Sequence, residues 1–171
     1  MRLSAKLSII LVAACVVAVS AGAQEPVGCD KFKWPLDKER SLLTSKDAPT
    51  LASGTSVKSS LPVAVIVTLV PFTDAKLPAT PERAPKLPQS FAGFIQMSAP
   101  ERDGTYKISL SSEAWIDVVQ GGHLLKSVSF SGAMGCAGIR KSVKFDLKAE
   151  PFAIQLSNVP ANSIAVAISG D

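Results

Sequence analysis

The chain of 171 residues predicts an all-β fold: an antiparallel two-sheet sandwich, jelly-roll-like, of about eight strands, with one short N-terminal helix. Two observations carry this. From Phe91 onward, apolar and polar residues alternate with period two in run after run. Clusters of turn-forming residues separate those runs at the spacing of short antiparallel strands.

The first residues are of another kind. Arg2 and Lys6 make a positive start, Leu7 to Val19 is almost wholly apolar, and Ala21-Gly22-Ala23 is a small-residue exit. These are the three parts of a secretory signal peptide, with cleavage expected after Ala23. The apolar run is shorter than the roughly 20 residues that span a bilayer. Val12-Ala13-Ala14-Cys15 offers a second route, a lipoprotein site at Cys15, but the chain stays apolar through Val19 where a lipoprotein turns polar.

Removing residues 1–23 of the 171 leaves 148, enough for one domain with a real core. Losing Arg2 and Lys6 lowers the formal charge from +4 to +2. That small excess, without basic runs interleaved with aromatics, excludes nucleic acid as a partner. The mature chain keeps Cys29 and Cys136. In an oxidising compartment two cysteines pair, and closing a loop of about a hundred residues is worth roughly 4–5 kcal/mol in the loop-entropy treatment. The bridge would pin the N-terminal segment to a late Gly-rich loop, and its reduction is expected to loosen the helix first.

The expected organisation is a signal peptide over 1–23, an N-terminal segment with the helix over 24–60, and the sandwich over 61–171. Pro35 suits a helix's first turn, and Leu36, Glu39, Arg40 and Leu43 then fall at helical spacing. Residues 48–60 read as a connection. Leu61 to Val70 is apolar on both faces and β-branched, which suits a strand covered on both sides. Pro71, Pro78, Pro81, Pro85 and Pro88 then mark a long polyproline-like loop over 71–90. Strands follow at Phe91–Met97, around Tyr106–Leu110, around Ala114–Val119, and, past a Gln120-Gly121-Gly122 turn, at Leu124–Phe130. Three more centre on Phe145, Ile154 and Val166.

Candidate site residues are few. Glu113, Trp115 and Asp117 share one strand face, opposite Ala114, Ile116 and Val118. An exposed Trp between carboxylates would stack on a sugar and bind its hydroxyls. The other reading is that the helix or the Pro-rich loop covers it. His123 is the only histidine, so a two-His or three-His metal site cannot form and no cofactor is expected. A hydrolase using His123 lacks a G-x-S-x-G motif to supply its serine. Gly132 to Gly138 has the wrong spacing for a phosphate loop and reads as the loop that lets Cys136 reach Cys29.

Gly104-Thr105-Tyr106-Lys107-Ile108-Ser109-Leu110-Ser111, Trp115-Ile116-Asp117-Val118 and Phe152-Ala153-Ile154-Gln155-Leu156-Ser157 together resemble the bacterial pre-peptidase C-terminal type of domain. The resemblance implies a secreted β-sandwich that serves as an accessory module. The whole mature chain is also similar to a family of short exported Gram-negative proteins, some labelled homogentisate 1,2-dioxygenase. That label implies iron held by two His and a Glu, which a single His does not supply. The functional expectation is an exported, periplasmic or secreted, non-enzymatic protein that binds a partner, such as a carbohydrate or an envelope protein, or supports envelope structure. The alternative is an accessory carbohydrate- or protein-binding module using the Trp115 face, with Glu113, Trp115, Asp117 and His123 as candidate contacts and no membrane span after cleavage.

Overall fold

The computed structural model describes residues 25–171. The expected signal peptide and its cleavage point, and Cys15 of the alternative lipoprotein site, lie outside the described residues.

Twelve strands form two packed six-stranded sheets. They are β1 (Thr50–Ala52), β2 (Ser56–Val57), β3 (Val63–Thr68), β4 (Val70–Pro71), β5 (Phe91–Met97), β6 (Gly104–Leu110), β7 (Trp115–Gln120), β8 (His123–Leu124), β9 (Ser129–Gly132), β10 (Lys141–Leu147), β11 (Phe152–Val159) and β12 (Ser163–Gly170). One sheet runs β1-β3-β12-β6-β10-β9, the other β2-β5-β11-β7-β8, with β4 beside β5. The long strands are dealt to the two sheets as β3-β12-β6-β10 and β5-β11-β7-β8, which is jelly-roll wiring.

The inward rows are those that alternation picks out. Val65 and Val67, Ile108 and Leu110, Phe145 and Leu147, Ile154 and Leu156, and Val166 and Ile168 are all buried between the sheets. Each such apolar side chain removed from water contributes roughly 1.5–3 kcal/mol.

Four details differ from the expectation. Residues 48–60, read as a connection, hold β1 and β2, which pair in parallel with β3 and β5 at the sheet edges. These strands are too short to show periodicity, and they account for part of the excess over eight. The Leu124–Phe130 run is not one strand: β8 belongs to one sheet and β9 to the other. Alternation reports a face and is silent on which sheet a residue joins. The helix α1 is Asp37–Leu43, so Pro35 precedes it and lies outside its first turn. Arg40 is exposed, its Nε–H donating to the Ala137 carbonyl at 3.0 Å.

Both outer faces are covered. On the first sheet the outward residues of β3 and β12 include Ala64, Ala165 and Ala167, small enough to let α1 sit close, and Leu36 and Leu43 pack there with Ile139 and Cys136. Glu39, 1% exposed, reaches the same face, where it accepts a hydrogen bond from Ser169 and pairs with Lys107 Nζ at 3.0 Å. Cys29 and Cys136 are bridged, with Cα atoms 4.8 Å apart at a sequence separation of 107. The helix therefore has anchors of its own besides the bridge. Gly138 has φ +84° and lies against Thr44 at the helix end, where a Cβ would come within 2.4 Å of the Thr44 methyl. Alanine there is strained by its backbone conformation and by contact. Gly138→Ala should lower stability by about 1–3 kcal/mol, read by thermal melt.

Candidate binding cleft

The Pro-rich segment lies on the outer face of the second sheet. A polyproline-like chain makes no internal hydrogen bonds, so its N–H groups need partners. The sheet supplies them. Ala79 N–H donates to Gln155 Oε1 at 3.1 Å, and Glu82 N–H to Asp117 Oδ2 at 3.3 Å. Lys86 and Leu87 N–H both donate to Asn158 Oδ1, at 2.7 and 3.0 Å. Asn158 sits at the β11 bulge with φ +55°, a conformation Asn tolerates better than most residues.

Asp117 is the hub of this lacing. It is 4% exposed, and it also accepts Trp115 Nε1–H at 2.8 Å and Gln155 Nε2–H at 3.1 Å. Asp117→Ala would leave three donors without their acceptor, one of them, Gln155 Nε2–H, fully buried. It should lower stability by about 2–3 kcal/mol. Tryptic cleavage at Lys76, Arg83 and Lys86 should speed up in parallel, since the loop is released; equal cleavage rates in variant and parent would show that Asp117 does not hold it.

The chain creates a cleft where it changes sheets. Leu125 N–H donates to the Val118 carbonyl at 2.8 Å, the last backbone bond on that side of β7. Val128 N–H already donates to the Lys144 carbonyl of the other sheet at 2.8 Å. Between them the chain crosses over, and the first half of β7 is left as an edge beside β9 and β10. The opening has a volume of about 210 Å³. Ile116, Leu125, Val143 and Phe145 form its apolar floor; Trp115 and Phe130 stand on either side.

Charges frame it. Lys141 shares the inward row of β10 with Val143 and Phe145, and its Nζ–H donates to the Ala114 carbonyl at 2.7 Å and to Glu113 Oε1 at 3.2 Å. The Arg140 guanidinium is 2.7 Å from the other Glu113 oxygen and also pairs with Glu25. The Arg83 guanidinium lies over the Trp115 ring, 4.0 Å from its centroid. Phe130 is 62% exposed, with Lys33 Nζ 4.9 Å from its ring centre.

Three of the four candidate residues meet here: Glu113, Trp115 and Asp117 all line the cleft. Trp115 takes its cover from the Pro-rich loop, through Arg83. His123 does not join them; it is exposed at the tip of the β7–β8 hairpin. Among the described residues no group of three or more His, Cys, Asp or Glu is placed to hold a metal. Sequence reasoning missed Lys141, Phe130, Arg83 and Glu25. Lys141 did carry a signal, a charge in register with a row of core residues. The others meet only through the crossover and the loop.

A second hollow, of about 520 Å³, is larger but flanked by Pro71, Phe72, Leu87 and Pro88 with no charged residue. Ligand sites combine apolar surface with a few convergent polar groups, and the cleft at β7 does so. No protein-family model, curated protein or solved structure matches the chain. Its Cys29–Cys136 bridge is typical of an oxidising, non-cytoplasmic compartment, and no described helix is long and apolar enough to cross a membrane.

Proposed function

We propose that the chain is an exported accessory binding protein, periplasmic or secreted after cleavage near Ala23, which takes an envelope carbohydrate or protein in the cleft at β7 and performs no catalysis on it. One observation carries the reading: a preformed opening in which an apolar floor lies beside charged groups already tied to fixed partners. Glu113 is shared by Arg140 and Lys141, and Asp117 is saturated by three donors. Groups held this way present a static surface for recognition. The hydrolase reading through His123 has no support from position, since that residue stands outside the cleft.

The test is a pair of arrays, one of envelope saccharides and one of synthetic peptides, probed with the mature protein and with Ser127→Trp. Ser127 is an exposed cleft residue, and the indole should fill the opening without touching the core. At least one ligand class should bind the parent and lose about tenfold in affinity in the variant, with the thermal melt unchanged. Equal retention of every ligand by both proteins would overturn the reading.

A further inference from the structure

Resting on that cleft reading, we infer that the ligand is an extended segment of another exported polypeptide, bearing a basic side chain, which adds to the vacated edge of β7 as a short strand. The backbone of β7 sets the chemistry. In a strand, the N–H and C=O of one residue point to the same edge and successive residues alternate. Val118 accepts from Leu125 on the outer edge, so Ile116 and Ala114 face that edge too. The Ala114 carbonyl is taken by Lys141. The edge-facing N–H and C=O of Ile116 have no backbone partner among the described residues. A donor and an acceptor on one residue, beside an apolar floor, are what strand addition uses.

A strand laid there places its side chains alternately. One set turns inward onto Leu125, Val143 and Phe145; the other turns outward, past Trp115 towards Glu82. The charge favours a basic residue in the second set. Of the acidic residues lining the cleft, Glu25 and Glu113 are paired with Arg140 and Lys141 and Asp117 is taken by three donors, so the carboxylate left for a ligand is Glu82. Glu82 makes no ion pair among the described residues. A saccharide fits less well, because the ring faces it would stack on hold cations, Arg83 on Trp115 and Lys33 on Phe130.

Four probes test this by calorimetry: a capped peptide of alternating valine and lysine, the same peptide N-methylated on its β7-facing amides, a valine–glutamate counterpart, and a neutral maltooligosaccharide. The valine–lysine peptide should bind. N-methylation and the glutamate exchange should each weaken it about tenfold. Glu82→Gln should weaken it about threefold while the N-methyl penalty stays. Saturation should slow exchange of the Ile116 amide about tenfold in magnetic resonance. No binding of the valine–lysine peptide, equal binding of its N-methylated form, or an unchanged Ile116 amide would each overturn strand addition. If the oligosaccharide alone binds and Ser127→Trp abolishes it, the cleft reading survives and strand addition falls. If no probe shows binding sensitive to Ser127→Trp, both fall.

Discussion

Replacing Cys29 and Cys136 together by serine should lower the unfolding free energy by about 4–5 kcal/mol, because the bridge closes a loop spanning 107 residues and removes that freedom from the unfolded chain. The loss should appear in urea melts of the mature protein. Its local consequence is more specific. The segment from Glu25 to Phe32 is held by the bridge, by the Glu25–Arg140 pair, by packing of Phe32, and by a short contact in which Gly28 N–H donates to the Met134 carbonyl, and Met134 N–H to that of Pro26, each at 2.8 Å. Amides there should lose protection first. Helix α1 should stay docked through Leu36, Leu43 and Glu39, so its protection should fall only with the strands. Early loss across α1 would mean that the bridge, and not the packing, seats the helix.

Glu39→Ala should destabilise by about 3 kcal/mol, since it strands a largely buried Lys107 with only Asp171, 3.8 Å away, as a remaining counter-charge. The pH dependence has a definite sign. Burial pushes the Glu39 carboxyl up, but the hydrogen bonds from Ser169 and Lys107 outweigh it and hold it below its ordinary value of 4.5. A carboxyl lowered in the folded state contributes stability that is present above its unfolded value and is lost as pH falls through the folded one. The parent should therefore exceed Glu39→Gln in melting temperature at neutral pH, and the margin should shrink from about pH 4.5 downward. A constant margin across that window would show that Glu39 acts through shape and not through charge.

The sandwich was legible because each long strand carries its own evidence. The run Tyr106-Lys107-Ile108-Ser109-Leu110 declares two faces, and the structure buries Tyr106, Ile108 and Leu110 between the sheets. The disulfide was legible by elimination, since cleavage after Ala23 would leave only two cysteines. What was illegible is what depends on distant partners. The tract Leu124–Phe130 reads as one strand, yet the chain leaves β7 after Leu125 and joins β10 by Val128. That crossover makes the cleft, so Glu113 and Asp117 looked like mere neighbours on a surface strand. Gln155 and Asn158 gave no hint that they lace the Pro-rich loop, because an amide in an alternating strand reads as solvent-facing. Ser109 is likewise buried on the outer face, donating to Ser142 at 2.9 Å. Nor does helical spacing show that Glu39 will be covered, since its partners Lys107 and Ser169 lie far along the chain.

The central claim, that recognition takes place at the vacated edge of β7, is tested most directly by backbone amide shifts in the mature protein as the tightest array ligand is titrated in. The largest shifts should fall on Ile116, Leu125, Ser127 and Phe130, around the crossover. Shifts that gather instead at Phe72, Leu87 and Phe91, beside the uncharged proline-lined hollow, with Ile116 and Phe130 unmoved, would contradict it.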